Sequence, residues 1–358
     1  MRKDTNPLQS LATGSWFKLI CGASFQHLPS IRDLTLAYSL AGADCIDVAA
    51  DPAVITMAKE ALDQAEAIAV QSSDLVHHWQ GRPLLMMSLN DAEDPHFRKA
   101  FFDPAQCPAD CPRPCESICP AIAIDATGVI GDRCYGCGRC IPICPINLIE
   151  TKNHVSSPQT AAKLIAAAEI DAVEIHTQVG HFADFQHLWQ TLKPVHRHLK
   201  LLAISCQNHP EVLPYLKQLF HEIQPLSCQL LWQTDGRPMS GDIGKGTIHA
   251  SIHFAQKLLQ SDLSGYVQLA GGTNDHTFYK LQTLNLLRGD RPDASHPFVS
   301  GIAFGSYARK LLQPILEPED RDPSRPLEQD PARLRQAVIS ASRLVNPLKS
   351  LANLSPLL

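Results

Sequence analysis

Residues 134–145 of this 358-residue chain read CYGCGRCIPICP, and their cysteines follow the spacing C-x2-C-x2-C-x3-C-Pro. This spacing is that of a bacterial ferredoxin motif, in which three thiolates bind one iron–sulfur cluster and the fourth reaches a second cluster. A chain that wraps a metal centre takes its fold from the ligand positions. The stretch therefore predicts a ferredoxin-like module.

A second cysteine group lies upstream, where residues 107–120 read CPADCPRPCESICP. The two-cluster pattern, applied to both groups, predicts that each cluster takes three ligands from one group and one from the other. The predicted ligands are Cys134, Cys137, Cys140 and Cys119 for one 4Fe-4S cluster, and Cys107, Cys111, Cys115 and Cys144 for the other. The first group has x3 instead of x2 between its cysteines. This longer spacing is compatible with an intact four-iron cluster, with a 3Fe-4S form and with a labile cluster. Zinc is an alternative for that group, although zinc sites usually use C-x2-C pairs.

The residues between the two groups predict a small hairpin. Ala121–Asp125 and Val129–Ile130 are strand-like, and a Thr127-Gly128 turn separates them. Within the second group, Gly136 and Gly138 allow the backbone to wrap closely and to donate N–H groups to sulfur.

Composition narrows the class of protein. The chain carries a net charge of −5 and no basic run, which argues against nucleic-acid binding. Residues 1–10 are polar and no apolar segment of a signal peptide follows. The apolar runs are far shorter than the ~20 residues of a membrane helix, so we expect no transmembrane segment. These features favour a cytoplasmic protein, in which clustered cysteines are metal ligands rather than disulfides.

Outside the cysteine block, short aliphatic runs alternate with helix-like stretches. The predicted strands are Phe17–Cys21, Cys45–Ala49, Leu84–Leu89, Ala172–Thr177, Leu201–Cys206, Ser227–Gln233, Gly265–Ala270 and Phe298–Ala303. The predicted helices include Ile31–Ala41, Pro52–Leu62, Leu213–Ile223 and Ile248–Leu259. Eight repeats of this kind predict an α/β fold, a TIM-like (β/α)8 barrel, with an open doubly wound sheet as the alternative.

The cysteine block interrupts this barrel after its third strand. We predict a first barrel part at 1–90, an inserted α+β iron–sulfur module at 91–155, the rest of the barrel at 156–316, and a charged linker with a C-terminal helix at 317–358. An insertion after a strand lies at the carboxyl ends of the strands, so the clusters should lie over the barrel mouth. The final helix, from Ala332 to about Val345, should dock on the barrel through Leu334, Ala337, Val338 and Leu344, or else bind a partner.

Strand alternation predicts a polar barrel interior. If the aliphatic residues face the helices, their neighbours face inward. The inward residues are then Lys18, Asp47, Glu174 and His176, with Ser88, Ser205, Gln229, Gln233 and Gln268. Because an unpaired buried charge is costly, Lys18 should pair with Asp47 or Glu174. The four charged residues are either catalytic candidates in a ligand pocket or a satisfied internal ion pair.

Two glycine-rich turns follow the last two strands. Gly271 and Gly272 belong to one turn, and Gly305 and Arg309 to the other. Barrels hold phosphate groups at these loops, so FMN is a candidate ligand, with Lys245 as a further contact. The remaining cysteines, at positions 21, 45, 206 and 228, are interpreted as small core residues, with a redox role left open for the first and third.

These features together resemble the cyanobacterial light-dependent period (LdpA) family. The resemblance is carried by Trp16–Ser24 (WFKLICGAS), by the two cysteine groups, and by the turns at Val267–Thr273 and Gly301–Arg309. It implies an iron–sulfur protein of the circadian input pathway that reports cellular redox state, and hence light intensity, to the clock and adjusts its period. The implied partners are clock and input-pathway proteins, including histidine kinases, with ferredoxin or quinone as redox signal.

Three hypotheses for function follow. In the first, a redox sensor, the cluster state alters contacts with a partner protein. In the second, a ferredoxin-domain oxidoreductase, the clusters pass electrons to a flavin or another phosphate-bearing ligand at the barrel mouth. In the third, a scaffold, the clusters are structural.

Overall fold

The structure is a computed structural model that describes residues 6–71, 76, 78–94, 97–153, 157–167, 169–236, 246–288, 297–317 and 325–352. The strands are β1 (Trp16–Gly22), β2 (Cys45–Ala49), β3 (Leu84–Asn90), β4 (Arg98–Phe101), β5 (Ile124–Asp125), β6 (Gly128–Val129), β7 (Glu150–Asn153), β8 (Ala172–His176), β9 (Leu201–Gln207), β10 (Gln229–Asp235), β11 (Tyr266–Ala270) and β12 (Gly301–Phe304). The helices are α1 (Gln9–Thr13), α2 (Leu28–Ala41), α3 (Pro52–Gln71), α4 (Pro114–Ile118), α5 (Cys140–Ile143), α6 (Pro158–Ala166), α7 (Phe182–Leu192), α8 (Val212–Glu222), α9 (His249–Leu259), α10 (Thr277–Thr283), α11 (Ser306–Leu316) and α12 (Pro331–Ala352).

Eight of the strands close into a parallel barrel in the order β1-β12-β11-β10-β9-β8-β3-β2. This confirms the predicted (β/α)8 fold and excludes the open sheet. Helix boundaries follow local chemistry. Asp51 caps α3 because its carboxylate accepts the backbone N–H groups of Ala53 and Val54, at 2.8 and 3.3 Å. Gly42, with φ of +105°, ends α2 in the left-handed conformation.

Barrel closure depends on one close contact between β1 and β12. Gly301 is paired with Trp16, and a Cβ atom at position 301 would lie 2.4 Å from the Trp16 carbonyl oxygen. A side chain there would push the first and last strands apart. Glycine is therefore required where the sheet closes on itself.

Two of the predicted strands start two or three residues later in the structure. The strand predicted at Ser227–Gln233 runs from Gln229 to Asp235, because its polar end is held by side-chain bonds: Thr234 donates to the Gln268 carbonyl at 3.1 Å. Gln229 lies on the same strand face as the interior residues Leu231 and Gln233, but its side chain is exposed because it stands where the strand begins. The last strand begins at Gly301 rather than Phe298.

The barrel has an apolar core on each side of its strands. The larger one fills the space between strands and helices and includes Phe17, Leu36 and Trp189. The smaller one fills the amino-terminal half of the interior, where Trp16 and Met86 pack with Leu11 of α1. The predicted polar residues therefore form one layer of the barrel interior, nearer the carboxyl ends of the strands than the apolar layer.

The segment inserted after β3 begins and ends on paired strands. β4 and β7 are antiparallel neighbours, with Arg98 opposite Asn153. Between them, β5 and β6 form the predicted hairpin at the Thr127-Gly128 turn. The limits 91 and 155 of this module stay a proposal.

The C-terminal part is docked more extensively than predicted. α12 extends to Ala352, and its predicted docking residues Leu334, Ala337, Val338 and Leu344 are buried. The described part of the linker predicted over Glu317–Pro331 is exposed in part: Arg325 and Gln329 are exposed, whereas Leu327 is buried and Glu328 accepts two hydrogen bonds from Arg32, at 2.5 and 2.8 Å. Residues 318–324 lie outside the described residues.

None of the helices in the described ranges is long and apolar enough to cross a membrane.

Candidate metal centre

Four of the predicted ligands line one small cavity. They are Cys119, Cys134, Cys137 and Cys140, the quartet that the ferredoxin pattern assigns to a single cluster. Gly136 and Gly138, both in the left-handed conformation, let the chain turn between these thiols. The convergence of four thiols on one space fits a group that requires four thiolate ligands.

The thiols of this quartet act on one another electrostatically. Burial raises the pKa of Cys140 to about 12, and the neighbouring Cys137, Cys134 and Cys119 add to the increase. Thiolates that repel one another in this way are stabilised together when a cation centre lies between them.

The second quartet differs from the first in one member, Cys111, which packs against none of the apolar clusters of the described residues. Cys115 is buried at the start of α4, and Cys107 and Cys144 pack beside it near Phe102. Cys111 is half-exposed and lies in a turn. Its own backbone N–H donates to the Pro108 carbonyl at 3.0 Å. In the described ranges, no three His, Cys, Asp or Glu side chains converge closely enough to hold a single metal ion.

The two cysteines that precede proline lie in loops of the same conformation. Cys119 ends α4 and accepts the Ala123 N–H at 3.3 Å; Cys144 ends α5 and accepts the Leu148 N–H at 3.3 Å. In each loop the third residue after the cysteine has a positive φ, +48° at Ile122 and +53° at Asn147. A β-branched residue rarely adopts this conformation, so the repeat is imposed by the loop itself.

Backbone N–H groups favour the thiolate form at the second of these loops. Burial alone would raise the pKa of Cys144, but N–H groups of Ile146, Leu148, Ile149 and Asn147 outweigh it and lower the pKa. Hydrogen bonds to a ligand sulfur stabilise negative charge at the metal centre.

The cluster loop is fastened to the barrel through Tyr135. This residue follows Cys134, is buried, and stacks beneath the Arg309 guanidinium, whose carbon is 4.2 Å from the ring centre. The Nη1 atom of Arg309 donates to the Ile20 and Cys21 carbonyls at 2.8 and 2.7 Å. The module therefore contacts the carboxyl end of β1, the face on which the sequence predicts it.

The barrel interior contains the predicted charged residues. Lys18 lies 3.3 Å from Asp47 and also contacts Glu174. Glu174 in turn accepts hydrogen bonds from His176 Nε2 at 2.9 Å and from Gln233 Nε2 at 2.7 Å. Lys18 and Glu174 are fully buried. The expected ion pair is present, with both carboxylates.

Burial and the neighbouring charges shift the pKa values of the ionisable side chains in the barrel interior. Burial would raise the pKa of Glu174, but Lys18 and His176 lower it to about 2. Burial raises the pKa of Asp47 to about 6 despite Lys18. Burial would lower the pKa of His176, yet Glu174 raises it to about 9. At neutral pH the centre holds two cations between two carboxylates.

Further polar side chains complete the layer. Ser88 donates to Asp47 at 2.7 Å, and Gln268 donates to Gln233 at 2.6 Å. Ser205 bonds to Asp235. Phe97, which strand periodicity could not place, covers His176 edge-on with ring centres 5.3 Å apart. The charged layer is thus hydrogen-bonded below and covered by an aromatic ring above.

The predicted phosphate-binding residues lie in two turns. Gly272 accepts the Thr247 hydroxyl at 2.6 Å, so its turn is held against the start of α9. Gly305 directly precedes α11. The Nη1 atom of Arg309 already donates to the two β1 carbonyls described above. Lys245 lies outside the described residues.

The cysteines of the barrel are mostly buried. Burial raises the pKa of Cys21 and of Cys206 to about 12, which keeps both as neutral thiols at ordinary pH. This agrees with their interpretation as core residues.

Comparisons with known proteins match both parts of the chain. A family model described as the Light dependent period A C-terminal domain matches residues 164–347, and one described as the LdpA Fe-S cluster-binding domain matches residues 107–155. The protein named Light dependent period A from Synechococcus elongatus is 52% identical over 343 residues, which cover 96% of this chain and 94% of that protein.

Among solved structures, tryptophan synthase of Mycobacterium tuberculosis aligns with a TM-score of 0.41 and 10% identity, over 97% of this chain and 99% of that chain. N-acetylneuraminate lyase of Mycoplasma synoviae aligns with a TM-score of 0.36 and 9% identity, over 93% and 80%.

Proposed function

Because the chain belongs to the Light dependent period A family, we propose that it is a redox sensor whose iron–sulfur centre reports cellular redox state, and thereby light intensity, to the circadian clock and adjusts its period. The observation that carries this proposal is the quartet of Cys119, Cys134, Cys137 and Cys140 around one cavity. That quartet lies inside the segment matched by the cluster-binding family model.

We further propose two clusters. The first, of the 4Fe-4S type, would be held by the quartet just named. The second would be held by Cys107, Cys111, Cys115 and Cys144 and would contain four or three irons. When bound, such a centre takes up and releases single electrons. The second quartet includes Cys111, which packs against none of the apolar clusters of the described residues, and this supports its assignment as the more labile site.

The surface near the cysteines can pass a change on to a partner. Large apolar side chains are exposed next to the thiols: Ile118 and Ile143 directly precede Cys119 and Cys144, and Ile122 and Ile146 follow them. Exposed apolar side chains grouped in this way favour protein contact. We propose that clock and input-pathway proteins, including histidine kinases, bind here, and that ferredoxin or quinone supplies the redox signal. Signalling requires the partner to bind one redox state more tightly than the other.

The barrel centre supports a sensor over an oxidoreductase. Lys18 is bound to both carboxylates and His176 is covered by Phe97, so the charged layer is already satisfied within the protein. A flavin released on denaturation of the purified protein would instead support the oxidoreductase.

The test is replacement of one thiol in the compact quartet. Cys137→Ser, purified anaerobically, should lose the visible charge-transfer absorption and the iron of at least one cluster, because serine is a poor ligand for this centre. Cys228→Ser, in the half-buried cysteine before β10, is the matched control and should keep the wild-type spectrum. An unchanged spectrum and iron content in Cys137→Ser would contradict the assignment.

A second measurement separates sensor from scaffold. Binding of the purified histidine kinase partner is compared between dithionite-reduced and air-free oxidised protein. The sensor predicts at least a severalfold difference in Kd, whereas a scaffold predicts equal binding.

A further inference from the structure

A partly open cavity lies where the cysteine module meets the barrel. Its walls come from α2 and α11 of the barrel and from the residues that flank the cysteines, namely Pro120, Ala121, Arg133, Tyr135 and Arg139. We call it the junction cavity. It is separate from the cavity of the cysteine quartet, although Tyr135 and Ala121 line both.

The lining of the junction cavity is strongly cationic. Among the described residues, Arg133, Arg139, Arg309 and Lys310 line it, together with one carboxylate, that of Glu317. That carboxylate accepts a hydrogen bond from Ser30. Four cations in one cavity stand out in a chain whose net charge is −5. Such a concentration of positive charge attracts anions.

One of these cations has a buried donor with no acceptor. The Nε atom of Arg309 is buried and has no hydrogen-bond partner among the described residues. The rest of the guanidinium is fixed by the carbonyls of β1 and by the Tyr135 ring, so the group cannot swing out to solvent. A buried N–H that lacks an acceptor is costly, and an oxygen of a bound anion would satisfy it.

The remaining walls are apolar. Phe25 and Tyr135 are buried, with ring centres 6.4 Å apart in an edge-on arrangement, and Leu34 and Leu316 continue the surface. An inorganic anion would leave these walls uncovered. The combination of cations with aromatic and aliphatic walls matches a molecule that has both an anionic group and an apolar body.

We propose that the junction cavity binds a small organic anion. Its carboxylate, sulfonate or phosphate group is held by Arg309, Arg133 and Lys310, and its apolar body packs against Phe25 and Leu316. The site is independent of the proposed redox role, but a ligand in it touches Tyr135, which lies between two of the quartet's thiols in sequence.

The test uses 8-anilinonaphthalene-1-sulfonate as the probe on the full, cluster-loaded chain. We expect saturable fluorescence enhancement at one site. Arg133→Gln combined with Lys310→Gln should weaken binding at least tenfold, because both remove cationic contacts. Arg335→Gln, an exposed cation on α12, is the matched control and should leave Kd unchanged. Gln313→Trp fills the cavity from α11 without a charge change and should also abolish binding.

Competition defines the ligand class. Phenyl phosphate should displace the probe at concentrations at least tenfold lower than either inorganic phosphate or phenol. The proposal is overturned if the cavity variants bind the probe like wild type, or if inorganic phosphate competes as well as phenyl phosphate. The visible absorption of each sample is recorded, so loss of clusters is distinguished from loss of anion binding.

Discussion

At the scale of single residues, the buried charges of the barrel are the most constrained part of the molecule. Lys18 contacts two carboxylates and is fully buried. Strand alternation placed Lys18, Asp47 and Glu174 correctly, because side chains in a strand alternate strictly between two faces. The same rule did not give the exposure of Gln229, since alternation gives the direction of a side chain but not its depth along the barrel.

Lys18→Met should destabilise the protein by about 3–5 kcal/mol, because it removes the cation that contacts both buried carboxylates and leaves only His176, which bonds to Glu174. Urea unfolding measures the loss. Lys59→Met removes a cation of the partly exposed pair with Glu169 and should cost less than about 1 kcal/mol. Equal losses in the two variants would show that the buried pair has no special role.

His176 should make stability depend on pH. Its pKa is about 9 in the folded protein, above the roughly 6.5 expected when unfolded. The stabilisation is therefore complete below pH 6.5 and is lost as the pH rises through about 9, by an amount on the order of 3 kcal/mol. Urea unfolding at pH 6.5, 7.5 and 9 measures the decline, and His176→Gln should flatten it. A wild-type free energy of unfolding that is constant over this range would refute the assignment.

At the scale of elements, the spacing of apolar residues predicted which face of α12 packs on the barrel, but it did not predict the length of that helix. The pattern Leu334, Ala337, Val338 and Leu344 predicted the buried face of α12. It missed the end of the helix, because Pro347 interrupts the sequence pattern while the helix continues. It also missed the buried pair of Lys349 with Asp44, which joins residues 305 positions apart and has no local signal.

Leu344→Ala should cost about 2–5 kcal/mol, because it leaves a cavity where α12 packs on the barrel. On the same helix, Ile339 is 57% exposed, so Ile339→Ala should change stability by less than about 0.5 kcal/mol. Urea midpoints of the two variants give the comparison. Similar midpoints would mean that α12 is not docked as described.

At the scale of the whole molecule, two kinds of core hold the chain together. The barrel is stabilised by extensive apolar packing. In the cysteine module, the small apolar core has Phe102, Ile124 and Ile149 as its large buried side chains, together with cysteines. The cysteine spacing predicted this module, and the four-thiol cavity agrees with it. The stacking of Tyr135 under Arg309 was not predictable, because it depends on where the module settles against α11.

Removal of iron should therefore affect the two parts differently. Chelation under reducing conditions should leave the far-ultraviolet circular dichroism nearly unchanged, because most helices belong to the barrel. Limited proteolysis should then cut between residues 103 and 148, a region that we expect to resist cleavage in the loaded protein. Loss of the helical signal on chelation would show that the barrel also depends on the metal.

The pairing of β4 with β7 has a consequence for how such a chain arises and diversifies. Since the inserted stretch leaves and re-enters through adjacent backbones at Arg98 and Asn153, its two ends already meet. A DNA segment that encodes it can be gained, exchanged or deleted in one event without shifting the register of any barrel strand. We therefore expect that a chain in which a short turn joins β4 directly to β7 keeps the register of its barrel strands.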